Sequence, residues 1–409
     1  MDLIIRNASL ISGHIADIAI EDGYILKIEA DLEQSAKTEI DARRGLVLPA
    51  FVNGQLHACK VFWRRKLKHL PAYVQMLPRF EAVKHVKATY TVDDVFARVS
   101  EVMRLAILSG TCAIRLFADV DEASKLNALK GLLKVKEAFG KYMTVQVVAF
   151  PQDGVFGSGT QALMQEAIEL GADIVGGIPW IESDEAIQRA HTDMCFSLAK
   201  TYDKNVHFVC DDTTNPQSRT LEYVCKQTLN HHYQGRVAAT QCAALSFYDH
   251  AYALQVIQQV KEAQITVFSN SQVSLVTTSE KAPYPRGITR VQELLSAGVA
   301  VASAQDDIDN WYYPFGRNDM LEVAQFMTHV GGFSWDPEKV LPMVTTTPAK
   351  VLELADYGLE VSRAANLVML DAPTWHEALQ YQVGRQVFLR GHLIAKSQRQ
   401  EKLLLSGAI

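Results

Sequence analysis

The chain has 409 residues, 48% of them hydrophobic and 21% charged, which is enough apolar material for a large core and enough length for a barrel with an appended domain. A formal net charge of -6 gives no global attraction to nucleic acid or to anionic membranes, so neither is expected as a partner. The opening MDLIIRNASLISG lacks a basic segment leading into a long apolar one, and no later apolar run approaches about 18 residues, so the expectation is a cytoplasmic protein without export signal or membrane span.

Residues 1 to 48 read as short alternating runs, DLIIRNASLI, IADIAIEDGYILKIEA and TEIDARRGLVL, punctuated by Ser12-Gly13 and Asp22-Gly23. Period-two alternation between such turn signals predicts a small β-sheet. A matching pattern returns near the C-terminus in ANLVMLD and RQVFLRGHLIAKS, with a turn at Arg390-Gly391. The expectation is one small composite β-sandwich-like domain built from residues 1–48 and 357–409.

Between these ends, residues 49–356 alternate strand-like apolar runs with amphipathic helical stretches about 30 residues apart, the spacing of βα units. The runs are LVLPAFVNGQLH, GTCAIRLFADV, MTVQVVAFPQ, ADIVGGIPW, NVHFVCDD, RVAATQCA, ITVFSNS and GVAVASAQDD. They predict a (β/α)8 TIM barrel of the α/β class. Active sites of that fold lie at the C-terminal strand ends, so Gln55, His57, Phe117, Gln152, Trp180, Val209, Asp211, Asp212, Gln241, Asn270, Gln305 and Asp306 are expected to converge.

The first run is the chemically telling one. Gln55 and His57 share a strand face, where two imidazoles would hold a metal well and a Gln with a His would do so poorly. The six cysteines have no CxxC spacing, which suits reduced thiols rather than a cysteine zinc site. After the first run comes a long aromatic connector in which Lys60 to His69 carries Lys60, Arg64, Arg65, Lys66 and Lys68 without an acid. This stretch reads as a lid whose basic residues form a solvated helix face or attract an anionic ligand. His191 reads as a surface or helix-end residue, and His207 as a filler of a deeper barrel layer.

These phrases resemble the amidohydrolase superfamily, in its branch of cytosine deaminase and N-isopropylammelide amidohydrolase. LVLPAFVNGQLHACK is similar to a pattern like PGFVNPHVHLDK, GTCAIRLFADVD to GTTHVRTHVDVD, and AFPQDGVF to AFPQEG; GADIVGGIPW, GRVAATQCAAL, YPFG, TTTPAKVL and ANLVMLD match in the same order. The resemblance implies a barrel enzyme whose single divalent metal, Zn or Fe, activates water for attack on a ring carbon. It also implies that His-x-His on the first strand, a His on the fifth and an Asp on the eighth hold that metal, while a Glu after the fifth strand moves protons.

This chain departs from that pattern at Gln55, Val209, Gln241, Phe117 and Trp180, all places where the resemblance implies or commonly shows histidine, and Asp212 stands for the glutamate. His57 and Asp306 remain as residual metal candidates. Two donors are one short of what a catalytic zinc takes, so no cofactor is expected and the metal-dependent activity is expected to be lost or strongly altered. What remains could bind a small cyclic nitrogen compound. Gln152, Asp211, Asp212, Asp306, Gln241, Gln55 and His57 offer polar groups for a ring edge, and Phe117, Trp180, Trp311 and Tyr312 offer stacking faces. Two alternatives stand beside this reading. One is a working hydrolase of non-peptide C–N bonds using Asp212 and Asp306; the other is a non-catalytic scaffold, since the resemblance implies a homo-oligomer.

Overall fold

The computed structural model describes residues 1–66, 83–156, 159–277 and 287–404. The chain divides into two compact units, one of residues 1–50, 107–110 and 356–409, the other of residues 51–106 and 111–355.

The first unit begins with β1 (Leu3–Ser9), β2 (Ile15–Glu21), β3 (Tyr24–Glu29), β4 (Thr38–Asp41) and β5 (Leu46–Pro49). In β1, Leu3 and Ile5 enter one apolar cluster while Ile4 joins another with Ala19 and Leu32. Both faces of the strand are therefore covered, which is why its sequence is not a strict alternation. Asp22-Gly23 turns the chain between β2 and β3 with φ of 50° and 82°, the paired left-handed conformation of a two-residue hairpin.

The second unit carries β6 (Phe51–Leu56), β7 (Thr111–Asp119), β8 (Thr144–Phe150), β9 (Ile174–Gly177), β10 (Asn205–Cys210), β11 (Val237–Gln241), β12 (Thr266–Phe268) and β13 (Val301–Ala302). Neighbours pair in parallel in sequence order. The ring closes beyond β13, where Asp306 N donates to Gln55 O at 3.0 Å and His57 N donates to Asp306 O at 2.7 Å. This is the (β/α)8 barrel. Its helices bury side chains by the 3.6 period: Val92–Leu108 buries Val95, Val99, Val102, Met103 and Ala106, one apolar stripe. Inside, a Cβ at Gly54 would lie 2.2 Å from the Phe268 ring, so only glycine lets that ring fill the barrel at this level.

The chain then returns to the first unit as β14 (Leu367–Leu370), β15 (Arg385–Leu389) and β16 (His392–Ser397), with β14 antiparallel to β5. Arg390-Gly391 makes the last hairpin turn with φ of 45° and 74°. Leu367, Met369 and Phe388 enter the same cluster as Leu3, Ile5, Ile18 and Val47, so both chain ends share one core. A single apolar run, LVLPAFV, supplies strands to both units: Leu46–Pro49 pairs with β14, and Phe51 onward pairs with β7. Among the described residues no helix is long and apolar enough to cross a membrane.

Candidate functional site

The seam that closes the barrel also builds the pocket. The two backbone bonds between Gln55, His57 and Asp306 fix the side chains of the first and eighth strand ends against each other. Gln55 Nε2 donates to Asp306 Oδ1 at 3.0 Å, and Gln241 Nε2 donates to Asp306 Oδ2 at 2.6 Å. His57 Nε2 stands 3.4 Å from Asp306 Oδ1 and 3.4 Å from Gln55 Nε2. Thr240 Oγ1 donates to Gln55 Oε1, as does Asn270 Nδ2 at 3.3 Å. Ser274 Oγ donates to Gln241 Oε1 at 3.2 Å. Gln241 and Asp306 hold left-handed φ values of 66° and 65°, a costly backbone for non-glycine residues that the surrounding bonds must maintain.

On the other side of His57 stands Lys60. After β6 the chain makes a short 3-10 turn, Ala58–Lys60, held by Arg98 Nη1, which donates to Cys59 O at 2.9 Å and Val61 O at 2.7 Å. The turn brings Lys60 Nζ to 3.3 Å from His57 Nδ1 and 3.1 Å from Asp119 Oδ1, and Nζ also donates to Gln152 Oε1. The side chain is 1% exposed. The sequence reading of Lys60 as part of a solvated basic lid is therefore corrected: its aliphatic stem is buried and its nitrogen faces the pocket. The described remainder of that segment meets acids, Arg65 with Glu101 at 2.8 Å and Lys66 with Asp94. Lys68 and His69 lie outside the described residues.

A small cavity of about 30 Å³, open to solvent, is lined by Gln55, His57, Lys60, Phe150, Gln152, Ile178, Trp180, Val209, Asp212, Gln241, Val273, Asp306, Asp307 and Tyr312, room for a water or two with the side chains as they stand. Several expected residues are thus brought together, and others are not. Asp211 is turned away: its carboxylate accepts from Ser218 Oγ, Thr220 N, Thr220 Oγ1 and Leu221 N at 2.7–3.0 Å, which satisfies the orphan amides at the start of helix Thr220–Asn230. Phe117 lies in the layer beneath, its ring centroid 5.1 Å from that of His57 and 5.0 Å from that of His207. Trp311 stands outside the cavity wall, edge-on to His85 at 6.3 Å. Gln305 is spent on the backbone, with Nε2 donating to Asp307 O and Oε1 accepting from Asn318 N.

His207 occupies a deeper barrel layer, with Nδ1 3.2 Å from Arg115 Nη1. His191, read from sequence as a surface residue, is fully buried against Glu182. The residues that sequence reasoning missed are Lys60, Asp307, Phe150, Ile178 and Val273. Asp307 was legible as the second acid of AQDD, and Lys60 as the residue one turn beyond His57.

Charge is crowded here. Burial, then the charge of Lys60, keeps the His57 imidazole well below its ordinary pKa, so it is neutral at pH 7. Burial, then the neighbouring Asp307 and Asp212, pushes the Asp306 carboxyl well above its ordinary range. Asp307 rises to about 6, chiefly from burial, with Lys60 acting against it. A further buried cluster adjoins Lys60: Lys87 Nζ lies 2.7 Å from Asp121 Oδ2 and 2.6 Å from Asp153 Oδ2. Burial opposes the Lys87 charge, but Asp119, Asp121 and Asp153 outweigh it and raise its pKa.

Fold and site together define a TIM-barrel protein with a polar pocket at the C-terminal strand ends. A model of the amidohydrolase family matches residues 38–392, and the chain belongs to that family. It is 29% identical over 392 residues to N-isopropylammelide isopropyl amidohydrolase of Pseudomonas sp. (strain ADP), covering 91% of this chain and 92% of that one. It is 26% identical over 390 residues to pterin deaminase of Rhizobium rhizogenes, covering 93% and 88%. The structure of 5-methylcytosine deaminase from Klebsiella pneumoniae liganded with phosphonocytosine superposes with a TM-score of 0.90 at 30% identity, covering 99% of this chain and 100% of that one.

Proposed function

We propose that the barrel-top cavity binds a small planar cyclic nitrogen compound and that the metal-dependent C–N bond hydrolysis implied by the family resemblance is lost or strongly altered. The observation that carries this reading is the state of Asp306. Both of its oxygens accept amide N–H groups from Gln55 and Gln241, so the carboxylate that the resemblance gives to a metal is engaged by neutral donors. The Val209 side chain, which lines the same cavity, has no lone pair to offer. Among the described residues no group of three or more His, Cys, Asp or Glu is arranged to hold a metal ion. A transition ion needs more donors than this set supplies. The ring class is supported by the relatives, two of which are a pterin deaminase and an isopropylammelide amidohydrolase, and by walls that combine Trp180, Phe150 and Tyr312 with the polar edge of Gln152 and Asp212.

One observation favours an active hydrolase instead. His57 Nε2 and Asp306 Oδ1 are 3.4 Å apart, and two donors at about 2.1 Å from one tetrahedral ion stand about 3.4 Å apart. With the Gln55 amide turned over, its oxygen would become a third donor. Elemental analysis of protein purified without added metal separates the two readings: close to one equivalent of zinc or iron, with chelator-sensitive deamination, overturns the first. Thermal shift against cytosine, ammelide and pterin tests binding, and a ring compound that raises Tm in metal-free protein supports it.

A further inference from the structure

Two parts of the cavity lining come from neighbouring loops. The loop after β8 supplies Gln152, and the loop after β9 supplies Ile178 and Trp180. Each is a tight turn: Gln152 N donates to Phe150 O at 3.0 Å and Gly154 N to Pro151 O at 2.9 Å, while Glu182 N donates to Pro179 O at 3.1 Å.

Behind both loops lies a buried carboxylate–imidazole pair. Glu182 Oε1 accepts from Val155 N at 2.8 Å and stands 2.8 Å from His191 Nδ1. His191 Nε2 accepts from Ile178 N at 3.1 Å. A ring nitrogen that accepts a backbone N–H carries no proton, so the neutral ring has its proton on Nδ1 and donates it to Glu182. The imidazole is fully buried, and the Glu182 side chain is 9% exposed. One bonded path thus runs from the Val155 amide through carboxylate and imidazole to the Ile178 amide. Gly154 completes it: its φ is 88°, and a Cβ there would lie 2.8 Å from Glu182 Oε1, so the absence of a side chain leaves room for the carboxylate.

We propose that Glu182 and His191 are positioning residues that hold the Gln152 loop and the Trp180 loop in register, and so set how tightly the cavity grips a ring compound. Neither touches the cavity. Their effect on affinity rests on the cavity being the ligand site, whereas their effect on the two loops does not.

The test is amide hydrogen exchange, read by mass spectrometry on the full chain, in segments 150–156 and 176–182. Glu182→Ala removes the acceptor of Val155 directly, yet the pair predicts faster exchange at Ile178 as well. His191→Ala removes the acceptor of Ile178, yet Val155 should also exchange faster, each by tenfold or more. Glu182→Gln keeps an acceptor oxygen for both partners and should stay within threefold of the wild type. Gly154→Ala, which drives a methyl group into the carboxylate while leaving both side chains in place, should reproduce the effect on Ile178 if the alanine variants fold poorly. Faster exchange confined to the loop that lost its own acceptor overturns the coupling. With cytosine as titrant, Kd should rise at least tenfold in both alanine variants and less than threefold in Glu182→Gln. Coupled exchange with unchanged cytosine affinity overturns the link to binding, and coupled exchange in a wild type that binds no ring compound overturns the ligand reading alone.

Discussion

Lys60 Nζ lies 3.3 Å from His57 Nδ1, and a lysine can only donate. The lone pair of that nitrogen therefore faces the lysine, while Nε2 looks toward both the Asp306 Oδ1 acceptor and the Gln55 Nε2 donor, each at 3.4 Å. A metal-bound histidine has the opposite arrangement, with its lone pair on the metal and its other nitrogen donating to an acceptor.

Adding the absent donors should reverse the balance. The double variant Gln55→His, Val209→His places imidazoles at the ends of β6 and β10, beside His57 and Asp306. Wild-type protein purified without added metal is expected to hold less than about 0.1 equivalent of zinc, and the double variant several-fold more. Inductively coupled plasma analysis of both proteins decides it, and equal content would show that these two positions do not limit binding.

Lys60 and Asp119 form an ion pair at 3.1 Å with both side chains at most 1% exposed. Lys60→Met leaves the aspartate buried without that partner and should cost about 3–5 kcal/mol in urea unfolding. Lys60→Met with Asp119→Asn removes both charges and should recover a large part of the loss.

Phe117 supports His57 from below, with centroids 5.1 Å apart, and also touches Phe150 at 5.3 Å. Phe117→Ala opens a void under the pocket and should cost about 3–5 kcal/mol. A loss below about 1 kcal/mol would mean that the surrounding barrel layer collapses to fill it.

Burial holds His191 below its ordinary pKa of 6.5, although Glu182 pulls the other way. A histidine whose folded pKa is depressed binds fewer protons in the native state than in the unfolded one. Its contribution is therefore complete above pH 6.5 and is lost as pH falls below it toward the folded value. Stability of the wild type is expected to decline over that acid interval more steeply than that of His191→Gln. Parallel curves from pH 7 to 5 would count against it.

The barrel was legible because its eight runs are short, apolar and regularly spaced, and nearly every one ends in polar residues. The polar cluster Gln55, His57, Gln152, Asp212, Gln241 and Asp306 followed from one rule, that strand ends converge. That rule does not say which way a side chain turns once the strand has ended. Asp211 and Asp212 are adjacent, yet the left-handed φ of 45° at Asp211 sends its carboxylate to a helix terminus. Lys60 was misread because five basic residues in ten suggest a solvated face, whereas a single 3-10 turn buries the first of them. The boundary within LVLPAFV was invisible for a related reason: apolar character does not reveal which of two sheets a strand will join.

The closing seam of the barrel has a bearing on how such a pocket can change. Asp306 is both the last link in the ring of strands, through its backbone, and the anchor of Gln55 and Gln241, through its side chain. A protein that abandoned catalysis would still have architectural cause to keep an aspartate there. The residue's presence is thus weak testimony for chemistry, because its carboxylate also ties the ends of the first and sixth barrel strands to the seam.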